Sequence, residues 1–146
     1  MAKKVKLHSP FKFDGFMIVE SSILRKPIGK EGEFQFKIHP SGIIHEQKKV
    51  YELILQVNVF EENKRFDANI KALGMFSFKD VTKLEDLSDY FYVNAPAIIF
   101  PYIRSYISAL TALSGMETIN LPSIVMGSFK NELKKNTVSD IQEVNL

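Results

Sequence analysis

The sequence predicts an α+β fold: a four-stranded antiparallel sheet with two helices packed on one face. Three observations predict it. Apolar and polar residues alternate with period two through most of the first half of the chain. From Asn94 onward the apolar spacing changes to three and four. All the strands precede the helices, an order that places helices on one side of an antiparallel sheet.

Residues 10–24 read as one long, bent strand. Phe11 and Phe13 alternate with polar neighbours, but from Gly15 both faces turn apolar (Phe16, Met17, Ile18, Val19). A glycine at such a point predicts a bulge or a close backbone approach. Pro27, Gly29 and Gly32 break the pattern. Phe34, Phe36 and Ile38 alternate with Glu33, Gln35 and Lys37 as a second strand, and Pro40-Ser41-Gly42 is turn chemistry. Tyr51, Leu53, Leu55, Val57 and Val59 form the clearest strand, closed by a hairpin at Glu62-Asn63-Lys64. Phe66, Ala68, Ile70 and Ala72 begin a fourth strand that ends near Gly74–Phe78. Val81, Leu84 and Leu87 suit a short helix or loop.

A helix is expected over 95–114. Asn94 can cap it, Pro96 suits its first turn, Pro101 can kink its start, and Gly115 is placed for a left-handed C-cap. Asn120-Leu121-Pro122 opens a second helix, with Val125, Phe129 and Leu133 on one face and Lys130, Lys134 and Lys135 at its end. The segment 136–146 reads as a flexible tail. The 146 residues read as one domain, without internal repeat or linker.

Composition narrows the function. Charged residues make up 25% of the chain, and 19 basic against 17 acidic residues leave a formal charge of only +2, which argues against nucleic-acid binding. With no cysteine, disulfides, thiolate metal sites and cysteine nucleophiles are excluded. The N-terminus Met-Ala-Lys-Lys-Val-Lys is basic without a following apolar stretch, unlike a signal peptide. The longest apolar run, 95–102, is far too short to span a membrane. A cytoplasmic location without membrane insertion is the expectation.

Chemistry is hard to find. His8, His39 and His45 lack metal-ligand spacing, although His39 and His45 could meet across the 40–42 turn. No nucleophile elbow, phosphate-cradling loop or dinucleotide fingerprint occurs. Carboxylates are scattered, and Lys48-Lys49 and Lys134-Lys135 read as solvated pairs. No catalytic residue, metal or cofactor is expected. Weight moves to binding. The 95–114 helix is apolar beyond one stripe, with Ile98, Phe100, Tyr102 and Ala109 flanking Ile99, Ile103, Tyr106, Ile107 and Leu110. A helix on a single sheet needs only a stripe of about 100°. The excess predicts homo-oligomerisation through Ile99, Ile103, Tyr106, Ile107 and Leu110.

At this helix the chain resembles a known family. The segment 91–104, Phe-Tyr-Val-Asn-Ala-Pro-Ala-Ile-Ile-Phe-Pro-Tyr-Ile-Arg, resembles the SecB family's Phe-Pro-Tyr-hydrophobic-Arg pattern. Gly115–Pro122 is similar to its loop with Leu-Asn-Leu, Val50–Val57 to its third strand, and Gly74-Met75-Phe76 to the Gly-x-Phe ending its fourth. The anchors cover about residues 50–133. The resemblance implies an ATP-independent holdase for unfolded preproteins, a tetramer built as a dimer of dimers, and delivery to the SecA motor. Apolar contact is nondirectional, which suits binding of many sequences. Expected client contacts are Phe34, Phe36, Ile43, Ile44, Phe60, Phe91 and Tyr92. Expected SecA-docking positions are Asp14, Glu20, Glu52, Asp67 and Asn69. The chain departs from the pattern at Asn69, where the family carries an acid, and in its basic balance. Two further readings follow: a solitary SecB-like chaperone dedicated to a narrow client such as an antitoxin, and a small carrier of an apolar ligand.

Overall fold

The computed structural model describes residues 11–26, 32–63 and 65–141. Four long strands lead the chain: β1 (Phe11–Arg25), β2 (Phe34–His45), β3 (Val50–Glu61) and β4 (Phe66–Phe78). Helix α1 (Asp89–Leu113) follows after a 3₁₀ turn at Leu84–Asp86. A 3₁₀ turn at Met126–Phe129 then runs into α2 (Lys130–Lys135), and β5 (Thr137–Ser139) follows. The strand order is β1-β4-β3-β2-β5, antiparallel except for the parallel pairing of β5 with β2.

Among the described residues the sheet therefore has five strands rather than four. The predicted tail supplies the fifth. Thr137 and Ser139 are buried, Gly42 pairs with Thr137, and the Thr137 hydroxyl bonds that of Tyr51 at 2.7 Å. A three-residue strand is too short to show a period; only its partner on β2 makes it one.

Alternation carries directly into burial. On β3, Tyr51, Leu53, Leu55, Val57 and Val59 face the helices, and on β4 Phe66, Ala68, Ile70, Ala72 and Phe76 do the same. Burying each such large side chain contributes about 1.5–3 kcal/mol. β1 is bent as expected. Its register shifts between Phe13 and Gly15, where Gly15 has φ 137°, and again between Ile18 and Glu20.

β2 does not turn at 40–42. It runs unbroken to His45, and Pro40 pairs with Leu55 of β3. The Pro40 carbonyl points away from β3, where it accepts from Asn136 Nδ2 at 3.1 Å. The missing proline N–H faces that same outer edge, so the ladder to β3 loses nothing. His39 and His45 thus lie six residues apart on one strand and do not meet.

α1 begins a turn and a half earlier than Asn94. Ser88 is the cap, its Oγ accepting from the Phe91 N–H at 3.2 Å, while Asn94 Nδ2 donates to the Tyr90 carbonyl. The helix runs through Pro96 and Pro101, and Gly115 follows its end at φ 75°. A Cβ at Gly74 would lie 2.5 Å from Ile99 Cδ1, so this glycine lets α1 approach β4 closely. The second helix is shorter than predicted. Residues 117–125 are irregular, Val125 is exposed, and Leu133 alone of the expected stripe is fully buried.

Candidate functional site

The helix-facing side of the sheet has a closed end and an open end. At the closed end the Phe91 ring lies 5.0 Å from Phe11, 4.7 Å from Tyr51, 5.8 Å from Phe76 and 5.3 Å from Phe78. Phe91 is 2% exposed and Tyr92 1%. Ile44, also expected to meet clients, is fully buried. These three are core residues; the first turn of α1 and the sheet between them leave no room for a partner.

At the open end a groove of about 550 Å³ lies between the start of β2 and the irregular segment after α1. Its apolar lining is Phe34, Phe36, Val59, Met116, Ile119 and Leu121. Phe34 stands at the mouth, 48% exposed, its ring edge-on to Phe66 at 5.6 Å. The far wall is tied to α1. Ser108 Oγ donates to the Ile119 carbonyl, Arg104 Nε donates to the Leu121 carbonyl at 3.1 Å, and the Ile119 N–H donates to Thr111 Oγ1 at 3.0 Å.

Charge gathers on the same groove. Arg25, Glu61 and Arg65 line it. Glu61 accepts from the Gly32 N–H at 3.0 Å and from Arg65 Nη2 at 3.1 Å. Burial would raise the Glu61 carboxyl, but the Gly32 N–H, the Arg65 guanidinium and the Arg25 charge outweigh it and hold it below the usual range. Sequence reasoning found Phe34 and Phe36 here and missed the far wall. Its signal was available: Met116, Ile119 and Leu121 are apolar residues recurring in an otherwise polar connection.

The opposite face of the sheet carries the expected docking carboxylates. Asp67 and Asn69 share it, as period two requires. Asn58 Nδ2 donates to Asp67 Oδ1 at 2.6 Å and to Asn69 Oδ1 at 3.0 Å, which makes one polar cluster. Glu20 stands opposite Lys71, and Glu20 and Asn69 line a shallow depression of about 600 Å³ with Lys37 and Lys71. Glu52 lies further along the face, 3.3 Å from His45 Nε2. Asp14 sits in the β1 bulge, 3.9 Å from Lys12. The structure thus joins Asp67, Asn69 and Glu20 and leaves Glu52 and Asp14 apart. Phe60 and Ile43 are half-buried on this face too, Phe60 beneath Lys37 Nζ at 5.4 Å.

His39 is exposed, near Glu132, and His45 lies between Glu52 and Asp140. Among the described residues no group of three or more side chains is arranged to hold a metal ion. His8 lies outside the described residues. No described helix is long and apolar enough to cross a membrane.

The family model for preprotein translocase subunit SecB matches residues 23–136, most of the chain. The chain belongs to the SecB family. A protein-export protein SecB from Anaplasma phagocytophilum (strain HZ) is 31% identical over 93 residues, 60% of this chain and 59% of the relative. One from Ruegeria sp. (strain TM1040) is 24% identical over 135 residues, 86% of this chain and 80% of the relative. The chain thus spans less than two thirds of the Anaplasma relative and more of the other. Among solved structures, a SecB-like chaperone of Mycobacterium tuberculosis in complex with a peptide from an antitoxin superposes with TM-score 0.67 at 14% identity, over 79% of this chain and 88% of that one. That likeness concerns the fold.

Within this SecB fold the interface assigned to α1 needs correction. Ile99, Ile103 and Ile107 are fully buried against the chain's own sheet. Tyr106 and Leu110 are half-buried, and the Tyr106 hydroxyl donates to Ser21 Oγ at 2.7 Å. The solvent face of α1 is a different set: Ala97, Pro101, Ser105, Ala109 and Ala112, with Tyr102 and Leu113 beside them. The excess apolarity read from the sequence belongs partly to the core. What remains outside is an uncharged, small-residue face.

Proposed function

We propose that this chain is an ATP-independent holdase of the cytoplasm that keeps unfolded preproteins soluble and supports their export. The carrying observation is the groove with Phe34 and Phe36 on one side and Met116 and Leu121 on the other, with Glu61 and Arg65 among its lining, open at its mouth, in a chain of the SecB family. A client in this groove exchanges water for aliphatic and aromatic surface at about 25 cal/mol per Å². Nothing in that exchange demands one sequence. The half-exposed Phe34 at the mouth favours an extended client over the enclosed ligand of a small carrier. The chain has no phosphate-cradling loop. It should suppress aggregation of a chemically denatured client at near-stoichiometric ratios without nucleotide. A strict need for ATP, or no suppression at severalfold excess, refutes the reading.

Assembly is part of the proposal. The uncharged face of α1 at Ala97, Ser105 and Ala109 would meet a second copy, in a dimer of dimers. Ala109→Arg should shift light scattering toward smaller species while the monomer stays folded; an unchanged mass refutes this contact. SecA would dock on the opposite sheet face, weakly and with sensitivity to salt, because the one carboxylate of the central cluster, Asp67, is already engaged by Asn58 and Asn69. Asn69→Glu should strengthen that binding. If neither wild type nor Asn69→Glu binds the motor, the second reading, a chaperone dedicated to a narrow client such as an antitoxin, takes its place.

A further inference from the structure

The segment after α2 is fastened to the sheet at three points. At the first, the Asn136 side chain donates to the Pro40 carbonyl, and the Gly42 N–H donates to the Asn136 carbonyl. At the second, the buried hydroxyls of Thr137 and Tyr51 share a hydrogen bond. The third lies at the end of β5. There the Ser139 hydroxyl donates to Glu46 Oε2 at 2.8 Å, and Asp140 Oδ1 accepts from the Glu46 N–H at 3.4 Å. Asp140 Oδ2 lies 3.2 Å from His45 Nδ1. Of the three, only the last contains an imidazole, the side chain that changes charge around neutral pH.

His45 has a carboxylate on either side. Glu52 Oε1, from β3, is 3.3 Å from Nε2, opposite the Asp140 contact. Nε2 itself is buried and lacks an aligned hydrogen bond. A neutral imidazole carries one N–H, so in either tautomer a bare nitrogen faces a carboxylate, lone pair to lone pair. An imidazolium carries two and can donate to both. The other charged groups nearby leave these contacts to the ring. Glu46 turns its carboxylate to the Leu84 N–H and the Ser139 hydroxyl. Lys83 and Glu85 line the depression beyond Ser139, and Lys48 and Lys49 in the turn before β3 are exposed. Among the described residues no lysine or arginine is paired with Glu52 or Asp140.

We propose that His45, Glu52 and Asp140 form a proton-dependent latch on the end of β5: a proton on the ring ties Asp140 to β2 and β3 together, and its loss frees Asp140. The device is independent of what the chain binds. Closing the latch takes up a proton, so it is favoured as pH falls through the neutral range and disfavoured as pH rises. It fails again below about pH 4, where the two carboxylates become neutral. Opening is local. Thr137 stays anchored on Tyr51 and Asn136 on Pro40, so the loosened part is 138–141.

Amide hydrogen exchange of the intact chain tests this at about pH 6 and about pH 8, the range in which an imidazole changes charge. Rates are divided by the intrinsic exchange rate at each pH to give protection. Protection at 138–141 should be about three- to tenfold greater at the lower pH, as two partly exposed ion pairs allow. His45→Gln keeps a side chain that can donate but cannot take up a proton, and its protection there should be equal at the two pH values. Asp140→Asn should cut the pH response to about twofold or less, since one charged partner is gone. His39, 3.9 Å from Glu132 of α2, stays in both variants, so any response that it causes survives in them. Equal wild-type protection at the two pH values overturns the latch. So does a full wild-type response in His45→Gln or in Asp140→Asn.

Discussion

At one end of the helix-facing side of the sheet, Phe91 is ringed by Phe11, Tyr51, Phe76 and Phe78 and is almost fully buried. At the other end, Phe34 meets the ring of Phe66 and keeps nearly half its surface in solvent. Both ends are aromatic, and both read as client contacts from the sequence. The cover makes the difference. The closed end lies beneath the first turn of α1, fixed by the Ser88 cap; the open end faces the irregular segment after α1, which is held to that helix by Arg104, Ser108 and Thr111. Aromatic content marks where apolar surface is, and the placement of the cover decides whether it stabilises the fold or remains for a partner.

The largest effect expected from this contrast is at the closed end. Phe91→Ala should cost about 3–5 kcal/mol of stability, the lost transfer free energy plus a cavity among four rings. Urea denaturation would show a lower midpoint at unchanged slope. The fraction that remains folded should hold clients as wild type does. Loss of capture in fully folded Phe91→Ala would mean that the aromatic cluster meets clients after all.

A smaller effect, confined to acid, is expected at the charged wall of the open end. The Glu61 carboxyl is held below its ordinary value in the folded chain, so folding favours its ionised form. The sign follows: its stabilisation is complete above the unfolded value near 4.5 and is lost as pH falls through the lower folded value. Glu61→Gln should therefore flatten the acid limb of the stability curve, measured by denaturant melts between pH 6 and 3. An unchanged acid limb would remove Glu61 from the account of this wall.

Much of this contrast was legible beforehand, and the rest was hidden for physical reasons. β3 and β4 were plain because half-buried strands must alternate, and the Gly15 bulge because both faces turned apolar there. The run through Pro40 was not, since a proline reads as a break unless one knows that its missing donor lies on the outer edge. The cap at Ser88 was overshadowed by Asn94-Ala95-Pro96, although Ser88-Asp89 is itself good N-terminal chemistry. The assignment of Ile99, Ile103 and Ile107 to an interface failed because hydrophobic periodicity finds a buried stripe without saying which surface buries it. The groove was half legible: Phe34 and Phe36 stood out by alternation, whereas Met116, Ile119 and Leu121 become a wall only through long-range bonds to α1.

The smallest effect on stability, and the one that bears most on function, is expected at Phe34. Its ring buries one side against Phe66 and offers the other to solvent at the mouth of the groove. Phe34→Ser forfeits one edge-on aromatic contact, worth about 0.5–1.5 kcal/mol, and leaves no internal cavity because water already reaches the position. The β3 pairing of Phe34 with Glu61 is a backbone matter and survives the substitution. Client capture should fall all the same, since the groove loses the apolar surface nearest its entrance. Comparing Phe34→Ser with Phe91→Ala in one aggregation assay, at equal concentrations of folded protein, separates the two ends directly. The expected result is weakened suppression by the stable variant and intact suppression by the destabilised one. The reverse pattern would place the client at the closed end and leave the open groove without a role in capture.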